Sequence, residues 1–268
     1  MAHFHVFVGP DASPAYPIVR RIGPGDLKDA LSKGIADFGA MPSHLVFLGL
    51  IYPIIGIALA RMTSGQNALP MLFPLMSGFA LIGPFAAIGL YEMSRRRELG
   101  LDIAWSHAFE VRHSPSIPSI LTLGILLMAI FLAWLTTARV LYQSLFGPTA
   151  PDSYTQFLHE VFTTSKGWTL IILGNAIGFI YAVVSLSISV VSFPLLLDRD
   201  VGVTAAIYTS VRAVLTNPGT MALWGLIVTI SLAIGFALLF VGLAVVMPIL
   251  AHATWHLYRK VVQNVPRR

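Results

Sequence analysis

Cysteine is absent from the 268 residues, which excludes disulfides, thiolate zinc sites and iron–sulfur ligation. Charge is scarce too. Asp, Glu, Lys and Arg make up 11% of the chain, against about a quarter in a soluble domain, so the polar surface that water requires is missing. The opening residues 1–43 hold Pro10, Asp11, Pro14, Pro17, Arg20 and Arg21 but no apolar run of the signal-peptide kind. The first apolar segment, from about His44, is therefore expected to serve as its own insertion signal.

What is present is apolar: residues from AVILMFWYC form 56% and the mean hydropathy is +0.78. The few charges are segregated, with none in 44–60, 70–91, 117–138, 167–197 or 213–258. Crossing a bilayer takes about 20 apolar residues in a helix, and only internally bonded helices or closed barrels tolerate lipid. The pattern predicts an all-α, polytopic transmembrane bundle of about six spans. These are placed at 44–61, 70–91, 118–138, 168–197, 219–234 and 237–257 in a single membrane domain, 25–262. A cytoplasmic segment 1–24 precedes it and a basic tail, 263–268, follows.

The stretch Met221–Leu250 decides the count. Its 30 residues would make a helix of about 45 Å at about 1.5 Å per residue, long for one span and short for two. A partial internal repeat favours two. Gly78, Pro84, Tyr91, Arg95 and Arg96 recur 164 residues on as Gly242, Pro248, Trp255, Arg259 and Lys260. Ala30, Leu31, Ile35, Phe38 and Pro42 match Ala206, Ile207, Val211, Val214 and Pro218 at an offset of 176, which leaves a tight bend near Gly235. Charge agrees. Six spans with both termini inside put 14 Lys and Arg residues on the inner side and only Arg61, Arg139 and Lys166 outside, whereas five spans give 10 against 7. Positive charge marks the cytoplasmic side, so the sequence pI of about 9.7 reflects topology, and no nucleic-acid partner is expected.

Three inner segments read as amphipathic helices lying at the membrane surface. In Asp26–Gly39 the apolar stripe is Leu27, Leu31, Ile35 and Phe38, opposite Lys28, Asp29, Lys33 and Asp37. In Val203–Thr216 it is Val203, Ile207, Val211 and Val214, and the shorter Ile103–Val111 uses Trp105 and Phe109. Connecting helices packed on the bundle are the plainer expectation; specific lipid or partner recognition is the sharper one. Pro42 and Pro218 mark the turn into the following span.

Chemistry is hard to find. Ionisable groups inside a membrane persist where they function, and none falls at mid-span. Asn175, flanked by Gly174 and Gly178, is the conspicuous polar residue of the spans: a helix–helix hydrogen bond beside small residues, or a point on a substrate path. Ser185, Ser187, Ser189 and Ser192 favour close packing. His252 and His256 share a helix face at metal-binding spacing, yet they lie at the cytoplasmic end beside aromatic residues. Trp105, Tyr91, Trp255 and Tyr258 read as interfacial anchors. No nucleophile motif, phosphate loop or facing carboxylate pair emerges, so no catalytic residue, no metal and no cofactor is assigned. Gly23-Pro24-Gly25 reads as a turn into the first amphipathic helix.

Three stretches carry a family resemblance: Gly89-Leu90-Tyr91-Glu92-Met93-Ser94-Arg95-Arg96; Pro194 to Gly202 with Ser210 to Val214 and Asn217-Pro218; and His252 to Arg259. Over roughly residues 20–262 the chain resembles bacterial, mainly proteobacterial, integral membrane proteins grouped only as a domain of unknown function. Some members are labelled cytochrome c oxidase subunits. The resemblance implies an association with such a complex at most, and it brings no catalytic residues. A haem–copper catalytic subunit needs several histidines within its spans, whereas every histidine here is expected at or outside an interface. The expectation is a non-catalytic protein of the bacterial inner membrane, multi-pass with both termini cytoplasmic. It would act as an accessory or assembly subunit whose partners are the lipid bilayer and other membrane subunits. A small-molecule or lipid transporter is the alternative, and an enzyme ranks third.

Overall fold

The computed structural model describes residues 16–41, 70–149, 151, 153–238 and 242–263. The expected first span at 44–61 and the terminal segments 1–15 and 264–268 lie outside the described residues. Among the described residues the chain is helical, with one isolated antiparallel bridge between Val19 and Val262. The helices are α1 (Pro24–Ala40), α2 (Leu72–Ala86), α3 (Ile88–Glu98), a 3-10 helix (Trp105–His113), α4 (Ile117–Phe146), α5 (Tyr154–Thr163), α6 (Ser165–Ser189), α7 (Ser192–Asp198), α8 (Val203–Thr216), α9 (Pro218–Ala237) and α10 (Leu243–Val261). Three stretches are long and apolar enough to cross a membrane: α4, the run Ser165–Asp198 through α6 and α7, and α9.

Several elements differ from the sequence reading. The expected span 70–91 is two helices, because Pro84 lies inside α2 and removes a helix donor; the chain turns at Ala87 and continues as α3 to Glu98. The expected span 118–138 runs on to Phe146. The span 168–197 breaks at Val190–Val191, just ahead of Pro194, and the Val191 amide freed by the break donates to Ser210 Oγ of α8 at 3.1 Å. Within the segment expected as an outer loop stands α5, whose N-cap Ser153 accepts from the Gln156 amide. The 3-10 helix replaces the third amphipathic helix, and the side chain of Trp105 lies outside what is described.

Two compact units make up the fold: Met1–Gly49, Pro84–Gly124 and Leu186–Arg268 form the first, Leu50–Gly83 and Ile125–Ser185 the second. The second is organised on Trp134. Its indole packs with Leu81 and Ala138, and Nε1 donates to the Pro74 carbonyl at 3.0 Å. Gly78 admits the Phe131 ring, since a Cβ there would fall 2.5 Å from it. Ser185 Oγ donates to the Leu81 carbonyl.

In the first unit α1 lies against α10, and α9 folds back on α10. Residues 18–22 act as a strap across both of their ends. Arg20 N donates to Val261 O at 2.7 Å and Gln263 N to Ile18 O at 2.9 Å, at the end of α10. At the start of α9, Ile22 N donates to Asn217 Oδ1 at 2.8 Å, Asn217 Nδ2 to Arg20 O at 3.0 Å, and Thr220 Oγ1 to Ile22 O at 3.0 Å. Met221–Leu250 therefore forms a helical hairpin whose arms bring Gly235 so close to Leu243 that a Cβ would meet Leu243 Cδ2 at 2.6 Å. The turn lies between Ala237 and Leu243, a few residues beyond the expected bend at Gly235.

On the two amphipathic helices the face turned inward is only partly the apolar stripe. On α1 the buried line is Leu27, Ala30, Gly34 and Asp37, while Ile35 is 55% exposed. On α8 it is Ala206, Thr209, Ser210 and Ala213; Val203, Ile207, Val211 and Val214 are only partly covered. Small side chains let helix axes close up. A Cβ on Gly34 would stand 2.7 Å from both Ala253 Cβ and Ala253 N and 2.8 Å from Ile249 O. Gly34→Val should therefore destabilise the protein by about 1–3 kcal/mol through overpacking, read as a lower thermal midpoint in detergent. Gly39→Ala on the same helix, where a Cβ meets nothing within 4 Å, should leave the midpoint unchanged or raise it slightly.

Candidate functional site

The packing of α1 on α10 carries a carboxylate out of water. Asp37 is 4% exposed and receives donors from two other helices. Ser94 Oγ of α3 donates to Oδ2 at 2.6 Å, His256 Nε2 of α10 lies 2.9 Å from the same oxygen, and Arg97 Nη1 of α3 donates to Oδ1 at 2.6 Å. Ser94 Oγ also meets His252 Nδ1 at 2.7 Å, and both residues are fully buried. Spacing explains the convergence: Ser94 and Arg97 at i,i+3 share a face of α3, and His252 and His256 at i,i+4 share a face of α10.

The electrostatics follow from the donors. Burial pushes the Asp37 carboxyl up, but hydrogen bonds from His256 and Ser94, the proximity of His256, and the Arg97 bond together outweigh it. Its pKa falls below the ordinary value. As a carboxylate Asp37 only accepts, so the single Ser94 proton points to it. Ser94 Oγ must then accept from His252, which fixes a proton on Nδ1. His256 likewise presents an Nε2 proton to Asp37.

A second ionic group adjoins the first. Glu98 accepts from Trp255 Nε1 at 3.0 Å and from Arg259 Nε at 2.9 Å. Asp198 at the end of α7 accepts from the Tyr258 hydroxyl at 2.7 Å. Along α1, Asp29 Oδ2 sits 2.9 Å from Lys33 Nζ and 2.9 Å from Lys260 Nζ. Between these groups opens a cleft of about 480 Å³ lined by Lys33, Ala36, Asp37, Arg97, Glu98, His256, Arg259 and Lys260.

The residues singled out in the sequence fall into place unevenly. His252 and His256 come together with Asp37; His252 is fully buried, and each histidine has its own partner. Among the described residues no group of three His, Cys, Asp or Glu side chains is placed to hold a metal ion. Tyr91, Trp255 and Tyr258 are buried, so their rings pack inside the unit. Their polar edges meet Thr254, Glu98 and Asp198. Asn175 lies on an exposed face of α6 in the second unit, its Nδ2 donating to the Ile171 carbonyl of its own helix at 2.7 Å. Asp37, Ser94, Arg97, Asp198 and Asn217 were not anticipated as site or latch residues.

Comparison with known proteins adds one finding. Residues 72–198 match the model of a family described as a predicted integral membrane protein (DUF2189). No curated protein and no solved structure matches. The matched stretch runs from α2 through α7, just under half of the chain, and contains Ser94, Arg97, Glu98 and Asp198. Asp37, His252 and His256 lie outside it. With the three long apolar helices, the match makes this an integral membrane protein.

Asp37 links stability to pH. Its lowered pKa means that its contribution is complete at neutral pH, persists down to the ordinary value of 3.8, and is lost as pH falls through the folded-state value. Asp37→Asn should cost about 2 kcal/mol at pH 7. That is less than a fully buried pair would lose, because the Arg97 side chain remains 37% exposed. In thermal unfolding followed by circular dichroism in detergent, the gap between wild type and variant should close below pH 3.8.

Proposed function

We propose that this chain is an accessory or assembly subunit of a larger membrane complex, performing no catalysis of its own and held together at its inner side by the Asp37 cluster. The observation that carries the reading is Asn175. Its amide sits on an outward face of α6 together with Ile172 and Phe179, both more than 60% exposed. A side-chain amide turned to hydrocarbon is costly, whereas a helix from another subunit would supply partners for it. A transport path through Asn175 has less support, because its Nδ2 is bonded to its own helix and the residue faces outward. A catalytic reading has less support still: Ser94 stands beside a histidine but is fully buried, with its oxygen engaged on two sides.

The finer features belong to the same proposal. The 14-to-3 distribution of Lys and Arg supports six spans with both termini in the cytoplasm of a bacterium, the chain lying in the inner membrane. The hairpin of α9 and α10 supports two spans in 219–257, and the correspondence of Arg95 and Arg96 with Arg259 and Lys260, each pair in the last turn of its helix, supports the partial repeat. The oxidase label carried by similar proteins makes a respiratory oxidase the first complex to test. Extraction of native membranes in mild detergent, followed by native electrophoresis and identification of co-migrating chains, should place the protein in an assembly. Asn175→Leu should weaken that association about 3- to 30-fold, the range of one interhelical hydrogen bond in lipid, without lowering the thermal midpoint of the isolated chain. A wild-type chain that migrates by itself would sink the proposal.

A further inference from the structure

In the second unit α5 carries two apolar strips, and the fold packs one of them. Phe157 and Val161, spaced i,i+4, form the strip turned inward: the Phe157 ring meets Tyr142 of α4 with centroids 6.2 Å apart, and Val161 is buried. Leu158 and Phe162, also i,i+4, form the neighbouring strip, about 100° further round the helix. They are 47% and 59% exposed. The far side is polar. Gln156, His159 and Thr163 are exposed there, and Gln156 Nε2 donates to Glu160 Oε1 at 2.9 Å. Scattered apolar residues are ordinary on any surface, but these two continue the packed strip, so one apolar arc lies half on protein and half off it.

The level at which α5 sits identifies what meets the uncovered half. The uncharged part of α4, residues 117–138, is about 33 Å long at about 1.5 Å per residue, close to the hydrocarbon thickness of about 30 Å. Arg139 ends it, and α4 continues beyond to Phe146. Lys166 stands in the first turn of α6, immediately ahead of that helix's uncharged run. Both cations are exposed, and they mark where the two helices leave the hydrocarbon. The contacts of α5 lie in that layer. Tyr142, which meets Phe157, is one turn past Arg139, and Gly167, next to Lys166, has no room for a Cβ against the Val161 carbonyl. With 10 residues, α5 is too short to cross the membrane. We infer that α5 lies along the membrane surface, with Leu158 and Phe162 seated in the headgroup–acyl boundary of the bilayer. The contact is apolar in kind. No Lys or Arg occurs in Tyr154–Thr163, so the surface takes acyl chains and needs no anionic headgroup. Seated there, α5 fixes the depth at which this end of α4 and α6 sits.

The absence of cysteine makes the test direct, because a single introduced thiol carries the only spin label. The whole chain would be labelled in turn as Leu158→Cys, Phe162→Cys, Gln156→Cys, His159→Cys and Thr163→Cys, then reconstituted into phosphatidylcholine vesicles. Collisions of each label with oxygen, which concentrates in hydrocarbon, would be compared with collisions with a nickel chelate present in water on both sides. The oxygen-to-nickel ratio should be about tenfold higher at 158 and 162 than at 156, 159 and 163, as suits side chains that reach about 5–10 Å into the boundary. Circular dichroism would confirm that each labelled chain is folded. Should one apolar-strip variant misfold, the other reads the same strip. Nickel collisions at 158 and 162 as frequent as at 156 would show a face open to water and overturn the inference. Protection of 158 and 162 from both reagents would show a face covered by protein, a second copy included, and would overturn it equally. The purified chain has no other subunit beside it, so failure here is separable from failure of the assembly reading.

Discussion

A carboxylate removed from water loses several kcal/mol of hydration, and it stays ionised in a folded protein only where donors replace that water from fixed directions. Asp37 meets this condition through Ser94, Arg97 and His256, which reach it from helices 57, 60 and 219 residues away in sequence. The arrangement fixes a register. Sliding α1 by one residue along α10 would swing the carboxylate by about 100°, away from all three donors and with nothing to replace them. The Gly34 contact with Ala253 and Ile249, one helical turn earlier on α1, shares that register, so close packing and ion pairing select the same alignment.

Packing on α1 and α8 reverses the rule that serves for soluble proteins. Apart from Leu27, both helices turn small or polar residues inward and leave most of their larger aliphatic residues partly uncovered. In lipid this costs little, because hydrocarbon solvates Ile and Val as well as another helix does. Association must then rest on close backbone approach and on hydrogen bonds. The same logic accounts for Gly78 against Phe131 and Gly235 against Leu243, where the missing Cβ lets one element reach the other.

This reversal also explains what was legible in the sequence. Uncharged runs of twenty residues and more identified α4, α6 and α9, since their signal is length and composition. The amphipathic helices α1 and α8 were visible from their 3.6-residue period. The face each packs against protein was left open, because periodicity finds a boundary between apolar and polar sides without saying which side meets protein. Asp37 was placed with the charged back of α1 for that reason. A sharper sign was available in the 3-4-3 spacing of Leu27, Ala30, Gly34 and Asp37, a small-residue line ending on a carboxylate. The paired spacings Ser94–Arg97 and His252–His256 are just as visible, but their common partner is not, because nothing local connects positions so far apart. Breaks at Ala87 and Val190–Val191 were within reach from Pro84 and Pro194. The strap through Asn217 was not, since its bonds run to backbone atoms.

The lock and the cleft share residues: Asp37, Arg97 and His256 belong to both. Any anion held there touches the groups that join α1 to α3 and α10. Binding to the assembled cluster and not to a chain with α1 detached must stabilise the assembled form, by the same free energy that the assembled form lends to binding. The balance is delicate. An anion that drew Arg97 wholly away from Asp37 would leave a buried carboxylate short of a donor, and that cost would oppose binding. The buried carboxylate, with its donors from α3 and α10, keeps the helices in place whatever the cleft holds.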